Sequence, residues 1–326
     1  MYPRLSDILY DLFGIDLPLP IYSFGLMVAV GILAAAELLR REMDRQYAAG
    51  LLPAVQVPAE GKGGRKRMQK ASPSALVWPM ALIAGAVGIA GSKLFHILDY
   101  WDRFVENPAA MLFSPAGLTF YGGLICAGIA VAYYVRKKGL PVARVADAIA
   151  PGLILGYGIG RIGCYLAGDG DWGLCSSLAE KPGWMPGFLW SETFPRSITL
   201  GENPTVEALF AFNNARGDTC VPGVHDGVYP TMLYEFVLCS LLAAGLWAMR
   251  KHPFKAGWLF SAYLVVNGAE RFLIEIIRLN PENAGGLSQA QLIAVGLMVA
   301  GAVGLALTTR RTGPTPARPE PAVAAG

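Results

Sequence analysis

The sequence predicts an all-α polytopic membrane protein with seven transmembrane helices. Its N-terminus lies outside, its C-terminus is cytoplasmic, and a small external domain separates helices four and five. Three observations predict this. Of the 326 residues, 54% are hydrophobic and only 16% charged, against roughly 25% charged in soluble domains, and mean hydropathy is +0.42. Apolar stretches near the roughly 20 residues that a bilayer-spanning helix needs recur along the chain. Lysine and arginine gather in alternate loops. Such a chain needs lipid to cover it, which excludes a cytosolic enzyme, a nucleic-acid module and a disordered chain. A net charge of +3 is too small for a general polyanion binder. The five cysteines show no metal-ligand spacing, so no metal is expected, nor any cofactor.

The predicted spans are Tyr22 to Leu39, Leu76 to Leu98, Leu118 to Val135, Val145 to Leu166, Tyr229 to Met249, Trp258 to Ile277 and Leu287 to Leu307. The fourth and sixth carry internal charge. Asp7, Asp11 and Asp16 ahead of the first give the wrong sign for a signal peptide. Eighteen Lys and Arg fall in the loops after spans one, three and five and in the tail, against six on the other side; this bias fixes the orientation. Residues 1–310 form the transmembrane domain. Within it, 53–74 (rich in Pro, Gly, Lys and Arg) reads as a flexible basic cytoplasmic linker near anionic headgroups. Residues 167–228 form the external segment, where a Cys175–Cys220 disulfide is chemically allowed but not dictated. The Pro- and Ala-rich tail, 311–326, reads as disordered.

A charge inside a span marks a functional site. By this topology Tyr22, Lys93, His96, Tyr121, Arg161, Tyr234, Glu235, Arg271 and Glu275 fall at one depth, beneath the outer leaflet. Arg271, Glu275 and Arg278 share a helix face through their spacings of four and three. One account is a self-neutralising ladder that lets a charged helix pack. The other counts Lys93, Arg161 and Arg271 against Glu235 and Glu275 and infers an anionic ligand, a lipid phosphate, which the planar arginine fork suits. Glycines 156, 158 and 160 read as helix packing. Gly122 and Gly123 offer a close backbone approach to a ligand, and Gly168, Gly170 and Gly173 interleave with Asp169 and Asp171 in a loop leaving the site. Cys164 is either a reactive thiol beside Arg161 or an apolar filler.

These residues carry a resemblance over most of the chain. Tyr22 with Gly25-Leu26-Met27, Gly91-Ser92-Lys93-Leu94, Gly122-Gly123-Leu124, Asp147 with Pro151, Gly160-Arg161-Ile162-Gly163, Pro230-Thr231-Met232-Leu233-Tyr234-Glu235, and Arg271-Phe272 with Glu275, Arg278 and Pro281 resemble the motifs of the prolipoprotein diacylglyceryl transferase family. The resemblance implies a bacterial inner-membrane enzyme whose site opens to the outer leaflet. It would transfer diacylglyceryl from phosphatidylglycerol to the lipobox cysteine thiol of an exported preprotein, leaving a thioether and glycerol phosphate. Arg161, Arg271 and Tyr121 become the candidate catalytic residues. Tyr22, Lys93, His96, Gly122, Gly123, Asp169, Tyr234, Glu235, Glu275 and Arg278 become candidate substrate-binding residues.

The chain departs from the family pattern at Tyr121 and Tyr229, where histidine is usual, and at Cys164, Ala167 and Asp169, where Asn, Asn and Glu are usual. The base is therefore open. Tyr121 holds the expected place, yet a phenol near pKa 10 needs neighbouring arginines to serve. His96 or His225 are replacements, and a cationic field alone is the simplest option. Two other readings stay open: a related lipid transferase with a different acceptor, and a non-catalytic lipid-binding or transport protein.

Overall fold

The computed structural model describes residues 2–15, 21–60, 66–113, 119–280 and 286–310. The tail at 311–326, with Pro281, Lys62 and Arg65, lies outside the described residues. Eleven helices are described: α1 Leu5–Phe13, α2 Ser23–Ala48, α3 Val77–Asp99, α4 Trp101–Glu106, α5 Pro108–Phe113, α6 Phe120–Lys137, α7 Val142–Ala167, α8 Val206–Asn214, α9 Thr231–Met249, α10 Trp258–Ile274 and α11 Gln289–Thr308. A helix underlies each of the seven predicted spans. Five of them (α2, α3 with the turn before it, α7, α9 and α11) are long and apolar enough to cross a membrane. The shorter α6 and α10 carry charge at their ends.

The fold is not purely helical. Residues 53–74, expected to be a flexible linker, contain an antiparallel hairpin instead, β1 Val55–Glu60 on β2 Lys66–Ala71. Val55 is buried at its base, and the Ser72 hydroxyl following it donates to Asp44 Oδ1 of α2 at 2.5 Å. An apolar root and a hydrogen bond thus hold a segment whose composition reads as a linker. Four further strands pair in two short ladders, β3 Cys175–Ser176 on β6 Gly227–Val228 and β4 Arg196–Ser197 on β5 Gly201–Glu202.

The chain divides into two compact units. The first takes Met1–Ala35 and Ile149–Thr312, the second Ala36–Ala148. In the second unit α3 packs on α6 through small residues. A Cβ on Gly91 would lie 2.8 Å from the Gly122 carbonyl oxygen, and one on Gly123 would lie 2.9 Å from that of Gly88. In the first unit the same device brings Gly156 of α7 against Gly31 of α2, and Gly268 of α10 against Ala294 of α11. Where lipid removes the hydrophobic drive between helices, such close backbone packing supplies the cohesion. Ser288 caps α11, accepting from Gln291 N while the Gln291 side chain accepts from Ser288 N.

The segment between α7 and α9 has its own core of Trp172, Phe194, Leu209, Phe210, Cys220 and Val228, with Met232 of α9 and Cys164 of α7 beneath it. Trp172 Nε1 donates to Asn213 Oδ1 at 2.8 Å, which satisfies the buried indole. A disulfide joins Cys175 to Cys220, closing the choice that the sequence leaves open.

Candidate active site

The site in the first unit begins at the end of α7. Arg161 faces inward with 7% of its surface exposed. One turn later its Nη1 donates to Cys164 Sγ at 3.4 Å. Gly168, at φ +61°, ends the helix in the left-handed conformation, with its N–H on the Cys164 carbonyl. Asp169 then accepts from the Asp171 N–H at 3.2 Å, a tight turn that folds the chain back. The turn delivers Asp171 to Arg161, Oδ2 to Nη1 at 2.6 Å.

A second strap holds Asp171 in place. Gly173 N–H donates to the Tyr229 carbonyl at 2.9 Å, and Leu174 N–H to Ile277 O at 3.0 Å. The Thr231 hydroxyl donates to Asp171 O at 3.0 Å. Arg216 staples the same loop, donating to Gly170 O at 2.7 Å and to Leu279 O at 3.0 Å. Arg278 therefore sits beside Asp171, Nη2 to Oδ1 at 2.9 Å.

Glu235 of α9, wholly buried, is the hub. Its Oε1 lies 2.9 Å from Arg161 Nη2 and 3.1 Å from Arg278 Nη1, and its Oε2 lies 3.8 Å from Arg271 Nη1. The Tyr157 hydroxyl, one turn before Arg161 on α7, donates to Glu235 Oε2. Arg271 also meets Glu275 at 2.9 Å. Glu275 Oε1 accepts from Asn280 Nδ2 at 2.6 Å and from the Ser288 hydroxyl at 2.7 Å. Glu270, beside Arg271 on α10, is buried, and neither of its carboxylate oxygens has a hydrogen-bond partner among the described residues.

Arg161, Glu235, Arg271, Glu275 and Arg278 are thus brought together. Asp169 lies beside Cys164 and Asp171, and it is Asp171 that pairs with Arg161 and Arg278. The charge count also changes. With Arg278 and Asp171 included, three guanidiniums face Asp171, Glu235 and Glu275, with Glu270 nearby, so the expected excess of cation is absent from this cluster. Its carboxylates orient the arginines instead. Burial alone would raise the Asp171 carboxyl, but Arg278 and Arg161 carry it down to about 2. Asp169 shifts the other way, raised by burial and by the neighbouring Asp171 charge.

The remaining predicted residues make other contacts. Tyr22 is exposed, its backbone bridged to Arg4. Tyr234 uses its hydroxyl to donate to Leu189 O at 2.5 Å. Lys93, His96, Tyr121, Gly122 and Gly123 belong to the second unit. There His96 packs on Tyr100 with ring centroids 4.8 Å apart. The two glycines are taken up by contact with α3. Tyr121 lies in the first turn of α6, and its side chain is outside the described residues. His225 Nδ1 accepts from Val221 N in a loop turn. Cys164, Asp169 and Asp171 bring a sulfur and two carboxylates within 4.8 Å of one another, but two guanidiniums already bind Asp171, and their charge opposes a metal ion there.

Sequence reasoning missed Tyr157, Asp171 and Arg216. For Tyr157 a signal existed: it lies four residues before Arg161 on the same helix face.

A family model described as prolipoprotein diacylglyceryl transferase matches residues 11–307. A phosphatidylglycerol–prolipoprotein diacylglyceryl transferase of Clostridium tetani is 29% identical over 300 residues, covering 91% of this chain and 95% of that protein. A protein of the same name from Dehalococcoides mccartyi is 33% identical over 220 residues, covering 67% of this chain and 71% of its own. One from Leptospira interrogans is 26% identical over 282 residues, covering 79% and 71%. With its arginines on two of the family's motifs gathered around a buried glutamate on a third, and a family match over residues 11–307, the chain belongs to the prolipoprotein diacylglyceryl transferase family.

Proposed function

We propose that this protein transfers diacylglyceryl from phosphatidylglycerol to the lipobox cysteine of an exported preprotein, at a site facing the outer leaflet of the bacterial inner membrane. The N-terminus is then outside and the C-terminus cytoplasmic. One observation carries the reading: Arg161 from α7, and Arg271 and Arg278 from the end of α10 and the turn after it, converge on the single buried carboxylate of Glu235.

The reaction breaks one C–O bond and forms one C–S bond. The cysteine sulfur attacks the carbon of the diacylglyceryl group that bears the phosphate ester. The ester C–O bond breaks, its electron pair leaves with glycerol phosphate, and the thiol proton goes to a base or to solvent. The leaving group gains negative charge as this happens. Arg161 and Arg271 are assigned to that charge, since donors fixed beforehand in a dry site need no reorganisation during the step. The surrounding carboxylates are what fix them. Arg161 Nε, buried and without a hydrogen-bond partner among the described residues, is a donor in reserve. Glu235, Glu275, Arg278 and Asp171 hold the pair, and Asp169 remains a candidate for binding substrate. In the second unit Tyr121 keeps the role of candidate base, and Lys93 and His96 remain candidates for binding substrate.

The test is mass spectrometry of a lipobox peptide incubated with the protein and phosphatidylglycerol. A diacylglyceryl adduct is expected, and it should vanish in Arg161→Ala. No adduct from the unaltered protein overturns the proposal. Full activity in Tyr121→Phe would remove that residue as base and leave the cationic field or a histidine. A second reading, transfer to a different thiol, is favoured by Tyr121, Tyr229, Cys164 and Ala167 within the motifs. Complementation of a strain depleted of the family enzyme separates the two.

A further inference from the structure

Residues 177–190, between β3 and β4, form a loop whose rigidity and surface chemistry are at odds. The loop is tied at many points. Leu178 N–H donates to Asp226 Oδ2 at 2.6 Å, and Trp190 Nε1 donates to Ser177 O at 2.9 Å. Lys181 turns its ammonium back on the loop, to Met185 O at 2.7 Å and Pro182 O at 3.2 Å. Trp190 packs edge-on against Tyr229. A loop so constrained could bury its apolar side chains, yet Trp184 is 79% exposed, Phe188 57% and Leu178 44%. A Cβ on Gly187 would lie 3.8 Å from Leu178 Cδ2, so Leu178 lies against the residue that precedes Phe188. Exposed apolar clusters on a rigid frame mark contact surfaces.

The position of the loop identifies the contact. Tyr234, in the first turn of α9, donates to the Leu189 carbonyl. Tyr234 shares a helix stripe with Val237 and Leu241, three and seven residues on, and these are 54% and 65% exposed. On a helix apolar enough to span a membrane, that stripe faces lipid. The loop caps its head, so its apolar side chains continue the lipid-facing surface of α9 at the level where the helix leaves the bilayer. Glu180 and Lys181 are its two charged residues, of opposite sign, and Lys181 is capped by carbonyls. Tryptophan with neutral surroundings suits the membrane–water interface, where the ring is buried and the indole N–H stays wet.

We infer that the 177–190 loop is an interfacial anchor, which seats Trp184, Phe188 and Leu178 in the lipid interface at the N-terminal end of α9. The partner is the lipid surface itself, independent of headgroup charge. The inference does not depend on the transferase reading.

The experiment uses the full chain labelled with 5-fluorotryptophan and reconstituted in phosphatidylcholine vesicles. The Trp184 fluorine resonance is assigned by its loss in Trp184→Phe, a surface change that leaves the core intact. A nitroxide attached high on the lipid acyl chain should raise the relaxation rate of this resonance several-fold, and a water-soluble gadolinium chelate should raise it far less. Relaxation driven mainly by the chelate overturns the inference, because the loop tip then stands in water. Protection that arises only after a lipobox peptide is added also overturns it, and reassigns the patch to peptide docking.

Discussion

The hydroxyl of Tyr157 and the carboxylate of Glu235, 78 residues apart in sequence, are hydrogen-bonded at the point where three guanidiniums meet. A buried carboxylate in this position is held by its partners rather than by solvent. Replacing it leaves three cations without their common counter-charge, and breaking a buried pair in this way costs about 3–5 kcal/mol. Glu235→Gln is expected to lower the thermal unfolding midpoint in detergent and to reduce diacylglyceryl transfer by about 100-fold or more.

Tyr157→Phe is the milder change. It removes one donor and leaves every ion pair in place, at a cost of about 1–3 kcal/mol for the unsatisfied oxygen. Transfer should fall by less than in Glu235→Gln, with fold and membrane insertion retained. Unfolding curves and initial rates on the two variants check the order.

Asp171 gives a pH prediction. Its carboxyl is held at about 2, against an ordinary value of 3.8. A lowered value in the folded state means that the ion pairs add stability wherever the carboxyl is ionised in the unfolded chain as well. The contribution is complete above about pH 5 and fades as pH falls toward about 2. The difference in unfolding midpoint between the natural protein and Asp171→Asn should therefore stay constant from about pH 8 to about pH 5 and shrink below about pH 4. A difference that already declines between neutrality and pH 5 would contradict this.

Gly173 tests the strap. A Cβ there would lie 2.5 Å from the Ile277 carbonyl oxygen and 2.8 Å from Thr231 Cγ2. Gly173→Ala must push Ile277 and Arg278 away from Asp171. Transfer should fall by about 10-fold or more although no charged group has changed, since small misplacements of a positioned group are costly. Rates for Gly173→Ala beside Gly183→Ala, where a Cβ meets nothing within 4 Å, provide the comparison.

The Cys175–Cys220 bond spans a separation of 45 residues. Removing it with the paired change to serine should cost about 2–4 kcal/mol. The unfolding midpoint of the natural protein under reductant should drop to match that of the variant.

Much of this architecture was legible because apolar run length is a local property. The predicted Tyr229 to Met249 and Trp258 to Ile277 spans lie within a few residues of α9 and of α10 with its terminal turn at Glu275–Ile277. Arg271 and Glu275 stand four residues apart as read, but α10 ends at Ile274 and Arg278 is extended, so the single helix face read for all three is not kept. Asp171 was not legible. Its placement follows from the left-handed Gly168 and Gly170, φ +61° and +89°, which reverse the chain by an amount that spacing cannot show. The hairpin at 55–71 was hidden by its lysines and arginines, since what holds it is Val55 and Ser72 at the root. The bond between Tyr157 and Glu235 depends on how α7 and α9 pack, which no single stretch of sequence contains.

Sharing Glu235 among three arginines has a consequence for how such a chain can drift. Loss of one arginine leaves two to hold the carboxylate, and a later change nearby can restore balance. Loss of the carboxylate takes the shared counter-charge from three cations at once and leaves them only Asp171 and Glu275. Among descendants of this sequence that keep the transfer, variation should enter first at Arg278, which holds the other two arginines, while Arg161, Arg271 and Glu235 stay fixed until the whole constellation is given up.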